Sequence, residues 1–356
     1  QDGGVDVGDV VAVLDGVEAQ LVGRAVGDPA AESAAGHPDA EPERVVVAAD
    51  GRSFALHPSG RGFRPWGFNY DHDRHGRLLE EYWETEWTTV EEDFHEMREL
   101  GANVVRIHLQ FGRFMEAPDR PNARALEQLR RVLGLAERTG LYLNLTGLGC
   151  YRRDEVPAWY EVLDEADRWR AQAAFWRAVA RRCRASPALF CYDLMNEPVI
   201  GGGTNQTDWL AGELAGLFYV QRIALDLRGR SRDEIAAAWV KTLVSAIREE
   251  DPNTLVTVGE IPWAMVWTNA RSVFHVPATS NLLDMVSIHV YPRTGELDRA
   301  SHAVRVHRAI GKPIVVEEVF PLACGIEELE EWMKSLRDEV AGWIGFYWGA
   351  APEDLR

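Results

Sequence analysis

Residues 191–198 read Cys-Tyr-Asp-Leu-Met-Asn-Glu-Pro, and they directly follow the apolar pair Leu189 and Phe190. A mostly apolar run of this kind is typical of a strand that is buried on both faces, as in parallel sheets. Pro198 lacks a backbone N–H group and disfavours helical geometry in the residue before it, so we predict that the strand ends here with Glu197 extended at its rim. Taken alone, the pattern fits an acid that caps a turn equally well.

The composition restricts the classes of protein that this chain can belong to. A chain of 356 residues with 46% hydrophobic residues is long enough for a single α/β barrel with one core. The net charge of −18 argues against nucleic acid or an anionic membrane surface as a partner. No apolar run reaches the roughly 18 residues that span a bilayer. No signal peptide opens the chain, so we expect a cytoplasmic or already processed protein on this evidence.

The first part of the chain differs in composition from the rest. Residues 1–44 contain no aromatic residue and include a linker-like stretch at 28–36, so we predict an N-terminal appendage. Residues 45–62 are predicted to form a hairpin around Asp50-Gly51, which could cover one end of a barrel. The catalytic domain would then comprise residues 45–356, including this hairpin.

Apolar segments that resemble strands alternate with amphipathic helices from residue 63 onward. Capping boxes at 89–92 and 231–234 are predicted to begin two of the helices. Eight strands with helical crossovers predict an α/β fold, the (β/α)8 or TIM barrel. The chain ends about eight residues after the last strand, so we expect a short or missing final helix. The predicted strands lie at 63–69, 103–109, 141–147, 188–195, 254–259, 283–290, 313–318 and 343–348.

Polar side chains occur at the predicted C-terminal ends of these strands, where barrels of this class carry their chemistry. Side chains with charges or amides at so many strand ends indicate a functional site rather than packing. Glu260, at the end of the fifth strand, could equally line the cleft or cap a turn. The residues concerned are Asn69, Tyr70, Arg106, His108, Thr146, Asn196, Glu197, Glu260, His289, Tyr291, Glu317, Glu318 and Trp348.

Two of these strand ends resemble a known family. Asn196-Glu197-Pro198, together with residues 312–318 (Lys-Pro-Ile-Val-Val-Glu-Glu), resembles the catalytic strands of clan A retaining glycoside hydrolases, and family 5 is the nearest pattern. The resemblance covers about residues 63–350. Supporting matches are Gly67-Phe68-Asn69-Tyr70, Arg106, His289-Val290-Tyr291 and Trp348.

The resemblance implies that Glu197 is the acid/base and Glu318 the nucleophile of a double-displacement reaction. Strands four and seven lie on opposite sides of an eight-stranded barrel, so carboxylates at their ends face one another across its mouth. Retaining glycosidases need these carboxyl groups about 5 to 5.5 Å apart. Neither a metal ion nor an organic cofactor is expected for this chemistry.

The neighbouring acid Glu317 is an alternative nucleophile. Successive strand residues point to opposite faces, so only one of the two acids is expected to face the interior. The family pattern places an aromatic residue after the nucleophile, whereas Val319 and Phe320 follow Glu318 here. The register counted from Lys312-Pro313 favours Glu318.

The resemblance also implies roles for the other strand-end residues. Arg106 would lie beneath the nucleophile and keep it ionised, unless it forms a salt bridge elsewhere. Asn196 would bond the sugar 2-hydroxyl, and Tyr291 would bond the nucleophile. Trp348 would offer its ring to the sugar, unless it belongs to the core. Asn69 belongs to the same matched set, and His289 would contact an acid or the substrate, with a core histidine as the alternative.

These expectations predict a retaining β-glycoside hydrolase that cleaves β-linked saccharides of glucan or mannan type. The acid pair Glu317-Glu318 slightly favours mannan. An exo-β-glycosidase or a glycolipid-cleaving relative is the alternative among enzymes. A carbohydrate-binding protein without catalysis is the alternative of another class, and it is disfavoured because both carboxylates are present. The substrate class alone favours a secreted or periplasmic location.

Overall fold

Eight parallel strands close into a barrel in the computed structural model, which describes residues 43–201, 206–214, 216–267 and 270–349. Each strand pairs with the next one in the chain, and the last pairs with the first. This topology confirms the predicted (β/α)8 fold. The barrel strands are β1 (Trp66–Asn69), β2 (Val104–Gln110), β3 (Tyr142–Gly149), β4 (Leu189–Asn196), β5 (Leu255–Glu260), β6 (Val286–His289), β7 (Ile314–Val319) and β8 (Gly342–Gly345).

One principal helix follows each of the first seven barrel strands, although the one after β5 has only four residues. Shorter helical turns lie at Leu79–Tyr82, Phe111–Phe114, Arg153–Glu155, Ala158–Glu161 and Val306–Ile310. None of the described helices is long and apolar enough to cross a membrane. The principal helices are α1 (Trp87–Glu99), α2 (Ala123–Thr139), α3 (Glu165–Cys183), α4 (Arg232–Arg248), α5 (Trp263–Val266), α6 (Leu297–Arg305) and α7 (Ile326–Ser335).

Local sequence signals explain where several helices begin and end. The predicted capping box of α4 is present, since the Ser231 hydroxyl accepts from the Glu234 N–H and the Glu234 carboxylate accepts from the Ser231 N–H. Gly140 ends α2 in the left-handed conformation with φ of 70°. The box predicted at 89–92 is wrong, because α1 already begins at Trp87 and the Thr89 N–H is bonded to the Glu86 carbonyl.

An antiparallel sheet of three short strands lies beneath the barrel, at Arg44–Val47, Phe54–His57 and Gly62–Phe63. Its aromatic residues pack into the lower core: the ring centroids of Phe54 and Phe190 are 5.3 Å apart, and those of Phe63 and Tyr142 are 5.0 Å apart. The hairpin predicted around Asp50-Gly51 therefore covers one end of the barrel.

Two predictions fall on parts of the chain that lie outside the described residues. The N-terminal appendage comprises residues 1–44, of which the structure describes only 43 and 44. The short or missing final helix concerns the segment after β8, of which residues 350–356 lie outside the description. Both stay predictions.

Candidate active site

Glu197 directly follows β4 at the mouth of the barrel, as predicted. Its predicted extended backbone is wrong, because the φ of Glu197 is 45°, in the left-handed region. The Glu197 N–H donates to the Gly259 carbonyl of β5 at 2.9 Å, and this bond helps to hold the turn in place. Such a conformation costs a non-glycine residue about 1–3 kcal/mol, and strain of this kind is common where a side chain must be aimed at a site.

Arg106, on β2, is the central cation of the barrel interior and is completely buried. Its guanidinium group donates to side chains from four other strands, so one residue ties several strand ends together. The acceptors are Glu318 Oε1 at 2.5 Å, Asn69 Oδ1 at 2.8 Å, Asn196 Oδ1 at 2.8 Å, Asp193 Oδ2 at 2.9 Å and Thr146 Oγ1 at 2.7 Å.

Glu317 and Glu318 both project into the barrel, so the expectation that only one of them faces the interior is wrong. Arg106 lies 2.5 Å from Glu318 Oε1 and 3.9 Å from Glu317 Oε1. The pairing of β7 with β6 and with β8 is irregular at this point. A bulge of this kind interrupts the alternation of side chains along a strand, which explains why two successive acids share one face.

The two acids of β7 nevertheless have different surroundings. Glu318 reaches the mouth, where Tyr291 donates its hydroxyl to Glu318 Oε2 at 2.5 Å. Glu317 is completely buried and accepts a hydrogen bond from Asn144 of β3. One carboxylate oxygen of Glu197 and one of Glu318 lie within 4.8 Å of each other. This separation is close to that of the two carboxyl groups in retaining glycosidases.

His289 lies between the carboxylates at the end of β6. Its Nδ1 atom is 3.0 Å from Glu197 Oε1 and 3.4 Å from Glu318 Oε1. Burial acts to lower the pKa of His289, but Glu318, the hydrogen bond with Glu197 and the nearby Glu317 together raise the pKa to about 10. The imidazole is therefore charged at neutral pH and acts as a hydrogen-bond donor, whereas a metal ligand must be the neutral form.

Burial and charge also shift the pKa values of the acids. Burial raises the pKa of Glu318 despite the opposing effects of His289 and Arg106. Burial acts in the same direction on Glu317, but Arg106 and His289 outweigh it and hold the Glu317 pKa low. Asp193 has a pKa raised to about 6, because burial and the charge of Glu317 outweigh its bonds with Arg106. Of the two acids of β7, Glu317 is therefore the one whose surroundings favour the ionised form.

The other predicted residues fall into two groups. Asn69 and Asn196 join the cluster through Arg106, and Asn69 Nδ2 also donates to the Glu317 carbonyl at 3.0 Å. His108, two residues after Arg106 on β2, is buried, and its ring nitrogens contact Tyr151 and Asn69, as is typical of a core histidine. Glu260 caps a turn, because its carboxylate accepts from the backbone N–H groups of residues 273–275.

Trp348 is not brought to the carboxylate pair, which departs from its predicted position. Its indole N–H donates to Asp93 of α1 at 2.9 Å, and its ring lies 5.4 Å from that of Phe68. Phe346 occupies the mouth instead, half-buried, with its ring centroid 6.3 Å from that of Tyr291, which bonds Glu318. The ring of Trp348 thus packs on Phe68 and bonds Asp93 of α1.

Sequence reasoning missed two polar residues that complete the cluster. Asp193 accepts from Arg106, from the Thr146 hydroxyl and from the Gly259 N–H. Asn144 donates to Glu317. Both lie in otherwise apolar strand segments, and a polar residue in such a segment is the signal that could have identified them, since buried polar groups need partners.

Comparisons with known proteins agree with this fold. The family model described as Cellulase (glycosyl hydrolase family 5) matches residues 60–352. The chain is similar in structure to an exo-β-1,4-mannosidase from Opitutaceae bacterium strain TAV5, with a TM-score of 0.64 and 19% identity over 85% of this chain and 55% of that chain. It thus spans just over half the length of that relative.

Two other solved structures are similar over most of both chains. A β-1,4-mannanase from the sea hare Aplysia kurodai has a TM-score of 0.60 and 16% identity over 85% of this chain and 92% of that chain. The catalytic domain of Thermobifida fusca endoglucanase Cel5A has a TM-score of 0.56 and 13% identity over 86% and 85%. No curated protein matches the chain by sequence. Because the family model spans most of the sequence, the chain belongs to glycosyl hydrolase family 5.

Proposed function

We propose that the protein is a retaining β-glycoside hydrolase with Glu318 as its nucleophile and Glu197 as its acid/base. The observation that carries this proposal is the pair itself: two carboxylates from opposite strands, within 4.8 Å of each other, at the mouth of the barrel. Glu318 is held by Arg106 and Tyr291, which leaves it oriented for attack. Glu197 lies 3.0 Å from Nδ1 of His289, which orients its carboxylate.

In the first step, a Glu318 oxygen forms a bond to the anomeric carbon while the glycosidic bond breaks. Glu197 gives its proton to the leaving oxygen, and a covalent glycosyl–enzyme ester results. Arg106 and Tyr291 stabilise the carboxylate before attack and orient its reacting oxygen. Asn196 uses its carbonyl for Arg106 and one N–H for the Tyr219 carbonyl, so its second N–H is available for the sugar 2-hydroxyl.

In the second step, Glu197, now ionised, takes a proton from a water molecule, and the oxygen of that water attacks the anomeric carbon. The bond to Glu318 breaks, and the product keeps the original configuration after two inversions. Glu197 thus needs to be protonated in one step and ionised in the next.

The substrate class is proposed to be β-linked saccharides of glucan or mannan type. The family membership and the names of the structural neighbours, which include a mannosidase, a mannanase and an endoglucanase, support this choice. Phe346 at the mouth offers an aromatic face to a sugar ring. Polymeric substrates of this class lie outside cells, so we propose a secreted or periplasmic location.

The test uses azide and an aryl β-glycoside whose leaving group departs without protonation. Glu318→Ala and Glu197→Ala should each lose about 10³-fold or more in activity on ordinary glycosides. Azide should then rescue both variants with opposite stereochemistry, giving the α-glycosyl azide from Glu318→Ala and the β-glycosyl azide from Glu197→Ala. NMR of the products distinguishes the two.

Glu317→Ala is the matched control, because it removes the neighbouring carboxylate of the same strand. An α-glycosyl azide from Glu317→Ala, with none from Glu318→Ala, would transfer the nucleophile role to Glu317. A panel of glucans and mannans then identifies the sugar, and the size of the first products separates internal cleavage from release of terminal residues. Full activity in both Glu197→Ala and Glu318→Ala would refute the mechanism.

A further inference from the structure

His289 faces a carboxylate on each side of its ring. Nδ1 is 3.0 Å from Glu197 Oε1, and Nε2 is 3.7 Å from Glu317 Oε2. Within the described part of the chain, neither Nε2 of His289 nor Oε2 of Glu317 has a hydrogen-bond partner, although both are fully buried. Buried polar atoms of this kind are costly unless they interact, so the two atoms serve each other as opposite charges.

Gly259 of β5 leaves the space in which these atoms meet. A Cβ atom on Gly259 would lie 2.7 Å from His289 Nε2 and 2.9 Å from Glu317 Oε2. It would also lie 3.1 Å from Asp193 Oδ2. The glycine is therefore needed here for space, since a methyl group would push the imidazole and the carboxylate out of their positions.

The charges around His289 come from three strands and the segment after β6. Three acids, Glu318, Glu197 and Glu317, favour its charged form, while Arg106 opposes it by repulsion. Among the described acids, Glu317 is the one within 4 Å of Nε2, and it takes no part in the bonding changes of the reaction. The titratable and charged groups are Asp193 on β4, Glu197 just after β4, Glu317 and Glu318 on β7, Arg106 and His108 on β2, and Tyr291 after β6.

The geometry points to Glu317 as a positioning residue that acts on Glu197 through His289, by holding the imidazole in its charged form throughout the reaction. This inference rests on the proposed function and extends it, because it assigns a role to the second acid of β7. Glu317 does not reach the mouth, where the substrate would bind.

The need for Glu317 arises in the covalent intermediate. While Glu318 is free, its negative charge helps to keep His289 protonated. Once Glu318 is an ester, that charge is gone, and Glu317 becomes the lasting anion beside the ring. A charged His289 donates through Nδ1 to Glu197 Oε1 and orients the carboxylate that takes a proton from water. Glu317 therefore acts in the second step.

The experiment compares wild type with Glu317→Gln, which keeps the size of the side chain and removes its charge. For ¹⁵N NMR, both proteins carry Glu318→Gln, which removes the Glu318 charge as the ester does. The His289 ring should then be charged at pH 8 when Glu317 is kept and neutral when Glu317→Gln is added. On an aryl glycoside whose hydrolysis is limited by the second step, kcat and KM of Glu317→Gln alone should fall together by about 10-fold or more at pH 8, with kcat/KM nearly unchanged. At pH 5, where His289 regains its proton, kcat should recover.

Gly259→Ala provides a second variant with all charges kept, and it should also lower the His289 pKa. Glu260→Gln is the matched control, since it removes a buried acid of β5 that caps a turn, and it should leave the His289 charge and the pH dependence in place. A His289 ring that stays charged at pH 8 when Glu317→Gln is combined with Glu318→Gln, or a kcat/KM that falls equally at all pH values in Glu317→Gln, would overturn the inference. Absence of hydrolysis by wild type would instead refute the proposed function, because the NMR measurement needs no turnover.

Discussion

Arg106 acts against burial at three acids of the site, because its charge lowers the pKa values of Glu317, Glu318 and Asp193. It touches Glu318 and Asp193 directly, and it lies 3.9 Å from Glu317. An ion pair removed from water stabilises a fold only when each charge has partners, and the loss of one partner leaves an uncompensated buried charge. At the scale of the residue, the same cation therefore orients the nucleophile and holds the buried acids of the barrel interior.

Arg106→Lys should lower the free energy of unfolding by about 3–5 kcal/mol, because an ammonium group cannot reach the five acceptors at once. Activity should fall about 10²- to 10³-fold, since Glu318 loses its orienting donor. Urea unfolding and kcat/KM on an aryl glycoside measure the two effects. Arg113→Lys, which alters a partly exposed pair with Glu155, should change stability by less than about 1 kcal/mol. Equal effects of the two substitutions would contradict the prediction.

Phe346 and Trp348 offer a second comparison between single residues. Phe346→Ala should lower kcat/KM about 10-fold or more, because it removes the aromatic face beside Tyr291. Trp348→Ala should mainly lower the melting temperature, since its ring packs on Phe68 and its N–H bonds Asp93. Steady-state kinetics well below both melting temperatures separate the effects. The reverse pattern would return Trp348 to the sugar-stacking role that its sequence context indicated.

At the scale of the element, the N-terminal sheet acts as part of the barrel's core rather than as an attachment to it. Phe54, Phe63 and Val45 are buried together with residues from the lower ends of several barrel strands. Phe54 and Phe190 pack edge to face, with an interplanar angle of 83°. The family model begins only at residue 60, so the first two strands of this sheet are an addition to the matched region.

Phe54→Ala should destabilise the protein by about 3–5 kcal/mol, because it leaves a cavity among buried aromatic rings. The kinetic constants of the remaining folded protein should be unchanged, since the sheet lies at the end of the barrel opposite to Glu197 and Glu318. Thermal unfolding and kinetics at low temperature test this. Val162→Ala is a suitable control, because Val162 is 82% exposed and its truncation should cost less than about 0.5 kcal/mol.

The elements also show what sequence patterns could and could not predict. Strand and helix order followed from hydrophobic periodicity, and the placement of Glu197 followed from an apolar run that ends at Pro198. The left-handed turn at Glu197 and the irregular pairing of β7 were not predictable, because both arise from contacts with neighbouring strands. The same holds for the outward position of Trp348, which depends on Asp93 of a distant helix.

At the scale of the whole molecule, the buried cluster links stability to pH. His289 has a folded pKa of about 10 against an ordinary value of 6.5, so the folded protein holds a proton that the unfolded chain releases. The stabilising contribution of this proton is complete below about pH 6.5 and is lost as the pH rises through 10. Asp193, raised from 3.8 to about 6, acts in the same direction at lower pH.

The free energy of unfolding should therefore fall between pH 6.5 and pH 10, by roughly a few kcal/mol for His289. Other groups titrate in this range, so the test compares wild type with His289→Gln by urea unfolding at several pH values. The variant should have the flatter profile. Parallel profiles would show that His289 holds no additional proton in the folded state.

The apolar core at the N-terminal end of the barrel has a consequence for the reaction. Phe54, Phe190 and Val315 are almost completely shielded from solvent, so within the described residues the lower end offers no passage for water. The substrate, the departing alcohol and the incoming water therefore all pass through the mouth of the barrel. A sugar bound at the mouth after the alcohol has left can attack the glycosyl ester through its hydroxyl group in place of water. High concentrations of acceptor sugars should therefore divert the reaction from hydrolysis to the synthesis of longer saccharides.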